Sequence, residues 1–292
     1  MKLALKVAFG ILMAVHTAAA STILHTVSAQ LYQNEAALYP AVGVASGSGL
    51  TGSGVMISDR YVLTAGHIAQ GKQAGDLFVV GGVSYTIQSS TVHPDFTASS
   101  GSFAYDLGLL YLTTAVTGVS PAAMLRLDPA TSIIGKEATY VGTGFTGNGQ
   151  TGADSSVIAR RAFTNKIEFY GEQYTLTNTS FVSDFDDPDG LFNRQQSERA
   201  ATRLEGAVAP GDSGGGVFIT ENGVRYLIGI NSYSGYVSLA TSNSKYGGIS
   251  GAVDLQQFHS WITANTGITA VPEPSVFLIG VLGGLLGLRR RR

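Results

Sequence analysis

Pro210-Gly211-Asp212-Ser213-Gly214-Gly215-Gly216-Val217-Phe218-Ile219-Thr220 is the stretch on which the fold turns. Glycines on both sides of Ser213 let the backbone make a tight turn whose N–H groups converge on one spot. The residues immediately after the serine separate two architectures. A serine set on a strand-to-helix elbow needs a helix directly after it. Here three glycines lead into a β-branched and aromatic run that reads as a strand. Asp254 and His259 could supply the downstream acid and histidine of the elbow arrangement, but the alternating helices of a parallel sheet are missing.

Outward from this stretch the chain is a series of short β-like runs cut by Gly, Ser, Asn and Asp. Tyr39–Ala45, Gly54–Ser58, Tyr61–Ala65, Leu77–Val80, Tyr85–Ile87 and Leu107–Leu112 read as strands, as do Ala138–Val141, Lys166–Tyr170, Gly216–Thr220 and Arg225–Asn231. Helical spacing is nearly absent until 254–264, where Leu255, Phe258 and Ile262 form a stripe. Arg126–Ser132 reads as a joint between two β-rich halves, about 38–125 and 126–254. Gly144–Asp154 and the acidic Asp184–Gly190 read as loops. With 292 residues there is ample chain for a core; with no cysteine, packing and hydrogen bonds must hold it.

The two ends read as addresses rather than as fold. Residues 1–20 carry Lys2 and Lys6, then apolar Val7–Val15, then Ala18-Ala19-Ala20 before Ser21, the pattern of a secretory signal. At 271–292, Val271-Pro272-Glu273-Pro274-Ser275 precedes apolar Val276–Leu288 and Arg289–Arg292. As a helix that run reaches only about 20 Å against a hydrocarbon core of about 30 Å. The arginines would stay on the cytoplasmic side. A temporary anchor, with transient membrane contact through residues 275–288, is the expectation. The basic residues of the two ends outnumber Glu273, so the part between is mildly acidic, which argues against nucleic acid as a partner.

Three segments carry the groups that covalent hydrolysis needs: a hydroxyl, a base, a carboxylate to orient the base, and donors for an oxyanion. Val62-Leu63-Thr64-Ala65-Gly66-His67-Ile68 delivers a histidine at the exit of an apolar strand. Tyr105-Asp106-Leu107-Gly108-Leu109-Leu110 opens an apolar strand with an aspartate. The glycine-framed Ser213 completes the set. His93 and Asp95, in Val92-His93-Pro94-Asp95, are the rival base and acid. Pro94 puts them in a turn, where a solvent-exposed loop histidine is the ordinary expectation.

Thr-Ala-Gly-His at His67, Asp-Leu-Gly-Leu-Leu at Asp106 and Gly-Asp-Ser-Gly-Gly at Ser213 resemble, in order, the motifs of trypsin/chymotrypsin-like serine proteases. The resemblance spans about residues 38–263, within a domain of 21–268. It implies an all-β fold of two six-stranded antiparallel barrels with a short C-terminal helix. It further implies Ser213 as nucleophile, His67 as base then acid, Asp106 as orienting carboxylate, and the N–H groups of Gly211 and Ser213 as oxyanion donors. Ser232 matches a residue supporting that aspartate, in a strand (Gly229–Ser232, continuing through Tyr233) that faces substrate backbone. Ala207, Ser234 and Gly248 match pocket positions. Protein or peptide substrates, no cofactor and a monomer are what the likeness implies. The tail resembles the PEP-CTERM sorting segment of Gram-negative bacteria, implying an exosortase-type processing enzyme and delivery toward the cell surface or matrix.

Two departures matter. No Ile-Val-Gly-Gly-like start precedes Tyr39, so the partner of Asp212 is open; a buried unpaired carboxylate would be costly, so another donor is expected. Ala207 stands where enzymes cutting after Lys or Arg place an aspartate, which favours an apolar side chain before the cut bond. Asp184–Asp189 could offer oxygen ligands to calcium, against the alternative of a solvated acidic loop. The competing function is a catalytically silent protease-like module that binds at a surface or matrix.

Overall fold

The structure, a computed structural model, describes residues 21–97, 103–174, 177–190, 200–236 and 244–273. Residues 1–20, read above as a secretory signal, and the tail from 274 onward, with its apolar run, lie outside the described residues. The elements in chain order are β1 (Ser21–Ile23), α1 (Ala29–Ala36), β2 (Val42–Ser46), β3 (Gly52–Met56), β4 (Tyr61–Thr64), α2 (Gly66–Ala69), β5 (Leu77–Val80), β6 (Val83–Val92) and β7 (Gly108–Leu112). They continue as β8 (Leu125–Arg126), β9 (Glu137–Asn148), β10 (Gly152–Lys166), β11 (Phe169–Tyr170), β12 (Ser180–Asp184), β13 (Gly206–Ala207), β14 (Gly216–Glu221), β15 (Val224–Tyr236), β16 (Gly248–Asp254), α3 (His259–Thr266) and β17 (Val271–Pro272).

Strands β2-β3-β4-β7-β6-β5 close into a six-stranded antiparallel barrel. Closure removes every free edge, and the interior fills with side chains such as Val55, Leu63, Phe78, Ile87 and Leu110, all fully buried. Burial of each such side chain is worth roughly 1.5–3 kcal/mol, which makes this half the apolar anchor of the molecule.

The second half is wider than the expected six strands. It is a nine-stranded sheet in the order β11-β12-β16-β15-β14-β9-β1-β13, with β10 paired to β9. Tyr140 and Phe163 stack 4.9 Å apart at its centre, beside Phe181, Ile228 and Ala252. The extra width comes from the N-terminus. Strand β1 runs parallel to β9 and antiparallel to β13. Helix α1 is pinned there too: Tyr32 is buried, and its hydroxyl donates to Glu205 O at 2.9 Å and accepts from Leu24 N at 3.2 Å.

Three local expectations need correction. The sequence pattern missed α1 because only Tyr32 and Ala36 face inward, too short a stripe to stand out. Gly144–Asp154 is mostly hairpin, since β9 runs through Asn148 and β10 starts at Gly152. At the C-terminus the helix begins later, a 3₁₀ turn at Leu255–Gln257 preceding α3, which ends at Thr266 with Gly267 in the left-handed region.

Candidate active site

The first barrel supplies a histidine and a carboxylate already in contact. Strand β4 ends at Thr64, and α2 is a single turn that lifts His67 off the barrel rim. Asp106 is fully buried, just ahead of β7. A side chain at Gly66 would come within 3.1 Å of Asp106 Oδ1, so glycine lets the carboxylate lie against the turn. His67 N donates to Oδ1 at 2.8 Å and His67 Nδ1 lies 2.8 Å from Oδ2. A carboxylate only accepts, so the pattern assigns the proton to Nδ1 and leaves Nε2 free to take one. Ser232 Oγ, from β15 of the other half, donates to Asp106 Oδ2 at 2.5 Å. Tyr105, next to the aspartate, is held at φ 57°, a region costing a non-glycine residue about 1–3 kcal/mol. Its N–H donates to Thr179 Oγ1 at 3.1 Å, one of the ties that hold it there.

Ser213 sits in a turn that the second half presses onto the first. Ser53 N, in β3, donates to Ser213 O at 2.7 Å. Gly214 has φ 86°, and a Cβ there would collide with both Ser53 O and Thr64 Oγ1, so no other residue fits. That contact sets the serine turn beside the end of β4, from which His67 emerges. The hydrogen bonds of His67 in this structure go to Asp106, and none joins it to Ser213; such a bond commonly closes only with substrate in place.

Around the turn, the N–H groups of Asp212, Gly214 and Gly215 donate inward to Ala209 O, Asn231 O and Asp212 O. Among the described residues, those of Gly211 and Ser213 have no acceptor. Gly211 has φ 98°, with Gly144 Cα 2.7 Å from where its Cβ would be. The turn therefore carries two uncommitted donors at the positions expected to hold an oxyanion.

Asp212 points away from the site into the second half and is fully buried. Ser21 Oγ and Ala209 N each donate to its Oδ2 at 2.9 Å, while Oδ1 has no hydrogen-bond partner among the described residues. Burial pushes its carboxyl up to about 7, against the pull of those donors and of the Arg161 guanidinium. Arg161 Nη1 donates to Ser21 O at 2.6 Å, so β1 lies between the two charges. No local pattern in the chain marks the N-terminal strand as this neighbour, because the contact joins residues at opposite ends of the domain.

The residues expected to line a specificity pocket lie on β13, β15 and β16. Ala207 is buried, paired with Thr22 and packed with Leu24, Phe185 and Tyr246. Ser234 pairs with Ser250, and Gly248 with Tyr236, across β15 and β16. The Ser232 side chain turns to Asp106. Tyr233 lies over Gly251, its hydroxyl 3.0 Å from Ser180 Oγ. Phe103, which the sequence reading missed, stacks on Tyr233 at 5.1 Å and meets His67 edge-on at 6.3 Å. Its signal in the sequence is an aromatic at the end of the Ser- and Gly-rich stretch 99–102, two residues ahead of Tyr105.

The rivals find structural employment. His93 is not a solvated loop histidine: it packs among Tyr105, Phe258 and Trp261 at 5.1–5.2 Å, and burial lowers its pKa. Asp254 caps the 3₁₀ turn through Gln256 N at 3.0 Å, and His259 Nε2 lies 3.1 Å from Leu125 O. The acidic stretch is solvated only at its end: Asp184, Asp186 and Asp187 are buried, while Asp189 is exposed. Among the described residues no three of His, Cys, Asp and Glu are arranged to hold a metal. Beside this stretch Glu205 accepts from Asp186 N at 2.6 Å and from Thr202 N, yet burial still pushes its carboxyl up to about 8.

A closed β-barrel carrying a histidine–carboxylate pair, and a β-sheet whose glycine-framed serine turn packs beside the strand end from which that histidine emerges, define a chymotrypsin-like scaffold. A family profile described as Trypsin matches residues 31–262, and the chain belongs to the trypsin family of serine-type endopeptidases. Among solved structures it is similar to neuropsin, a serine protease expressed in the limbic system of mouse brain, at 17% identity and a TM-score of 0.57, over 78% of this chain and 94% of that one. It is also similar to HL collagenase, at 17% identity and a TM-score of 0.58, over 80% of this chain and 95% of that one. At such identity these likenesses speak for the fold. No curated protein sequence matches the chain.

Proposed function

We propose that the protein is an exported endopeptidase that cleaves peptide bonds through an acyl-enzyme on Ser213. The observation that carries this reading is Asp106, fully buried and accepting from His67 Nδ1 at 2.8 Å. In the proposed cycle Ser213 Oγ attacks the scissile carbonyl while His67 Nε2 takes its proton. Asp106 stabilises the imidazolium, and the Gly211 and Ser213 N–H groups bind the oxyanion. His67 then protonates the leaving amine, and water repeats the sequence to release the acyl group. Labelling by a fluorophosphonate probe, lost in Ser213→Ala, is the test; a folded, processed chain that takes no label would favour the silent binding module.

Three further proposals complete the reading. The chain acts as a monomer cutting after apolar side chains, supported by an alanine, with no carboxylate, at position 207; a peptide panel with strongest cleavage after Lys or Arg would overturn this. Export removes residues 1–20, and the tail from 271 is a sorting segment read by a membrane-bound processing enzyme. Cleavage before Ser21 would place an α-ammonium beside Asp212, whose Oδ1 lacks a hydrogen-bond partner among the described residues. A cation there would hold the carboxylate ionised.

A further inference from the structure

The Pro-Glu-Pro motif of the tail begins inside the folded domain. Strand β17 lies parallel to β8, with Val271 opposite Leu125 and Pro272 opposite Arg126. Val271 N donates to Met124 O and Glu273 N to Arg126 O, each at 2.8 Å. Pro272, between them, has no N–H to satisfy, so the alternation of donors suits a proline at that position. The Glu273 carboxylate is also engaged: Oε2 accepts from Thr131 Oγ1 at 3.1 Å and from Asp128 N at 3.3 Å. Strand β8 is itself fixed to the start of the C-terminal helix, Leu125 O accepting from Gln256 Nε2 at 2.9 Å and Leu127 N donating to Gln256 Oε1 at 2.9 Å.

An enzyme that reads an extended motif does so by pairing with its backbone and by gripping its side chains. Here the one N–H that the motif owns, that of Glu273, and the Glu273 carboxylate are already committed to β8 and the loop after it, as is the N–H of Val271 just before the motif. We propose that β17 is a latch: while it is docked, Pro272 and Glu273 are withheld from the tail-processing enzyme, and the tail is read only when the strand lifts off. This rests on the sorting-tail reading above. The latch is held by a few hydrogen bonds at an exposed edge, the kind of contact that opens locally without unfolding the domain.

Thr131→Val removes the hydroxyl donor to Glu273 and leaves the motif intact, with Thr131→Ser as the control that keeps it. In the full chain, hydrogen exchange at the Val271 and Glu273 amides is expected to quicken by about threefold to tenfold in Thr131→Val. It should stay near wild type in Thr131→Ser, with the melting temperature of both unchanged. Tail removal, followed by pulse-chase in an exporting host that processes such tails, is expected to quicken in parallel. Free-peptide exchange at both amides of wild type would overturn the latch outright. Faster exchange with unchanged tail removal would show docking without gating, and would overturn the proposal while sparing the tail reading. A tail retained in every variant, with amide protection intact, would sink the tail reading and the gate with it.

Discussion

The two halves of this molecule solve burial differently. The first barrel is closed and filled with aliphatic and aromatic side chains, and its one fully buried acid, Asp106, accepts from His67 and Ser232. The second sheet buries Asp212, Glu205, Arg161, Asn165 and Asn231, and leaves Asp212 Oδ1 and Arg161 Nε without hydrogen-bond partners among the described residues. Buried charge is weak as a source of stability, and removal of one partner is expensive. The first half therefore reads as a rigid mount for the His67–Asp106 pair. The second carries the serine turn, and it is where the proposed processing of the N-terminus and a change of pH would act.

The sharpest way to break this contrast is on the first half. Asp106→Asn should preserve the barrel, since the volume and two of the contacts remain, but would turn an amide N–H₂ toward donors and favour the wrong histidine tautomer. A fall in kcat on the order of 10⁴-fold is expected, the size set by the family's own template for this substitution rather than by this chain. Retention of more than a tenth of wild-type turnover would mean that the His67–Asp106 contact is only structural. On the second half, a chain that retains Ala20 ahead of Ser21 should lose about 10²- to 10³-fold in kcat/KM, the scale of a broken buried ion pair. Mass spectrometry confirms the start residue, and full activity with Ala20 in place would remove the proposed ammonium from the account.

Legibility in the sequence divides along the same line. Strands β4, β5 and β7 of the first barrel are readable as short apolar runs, whereas β6, rich in Ser and Thr, shows only its Tyr85–Ile87 stretch; the three motifs are readable because their chemistry is local: a glycine before the histidine, glycines around the serine. The second half resisted for physical reasons. Lys166–Tyr170, read as one strand, is a corner between β10 and β11, and the long β9–β10 hairpin is too polar at its tip to show a period. Ser21 against Asp212 joins residues 191 positions apart and carries no local signal, whereas Ser232 against Asp106, 126 positions apart, is an expectation that only the family resemblance supplies. The acidic stretch at 184–187 looked solvated because charge density says nothing about which side of a sheet it faces.

A third effect is a pH dependence confined to the second half. The Glu205 carboxyl is raised from 4.5 to about 8 by burial. Its preference for the neutral form supports the fold below about pH 4.5, and that support is lost as pH rises through about 8. The expected loss across this window is on the order of a few kcal/mol, visible as a falling melting temperature. Glu205→Gln should flatten the curve. An equal slope in wild type and variant would assign the dependence elsewhere, with Asp212 next in line: in an unprocessed chain its support should be lost as pH rises through about 7.

The smallest effect tests the seam itself. Ser232 belongs to the second half, yet its hydroxyl completes the shell of a carboxylate mounted on the first, at 2.5 Å. Ser53 makes the reverse link, donating to Gly211 O at 3.0 Å and accepting from Thr143 N at 2.8 Å. Ser232→Ala removes one hydrogen bond to a charged acceptor while both His67 contacts to Asp106 remain. Such a bond is worth roughly 1.5–3 kcal/mol, part of which the remaining donors recover, so kcat should fall about tenfold with KM nearly unchanged. If the serine only tied the halves together, KM and melting temperature would move and kcat would not. If it tunes the carboxylate, the pH profile of kcat shifts while stability holds, and that split decides whether the second half lends the first more than a wall.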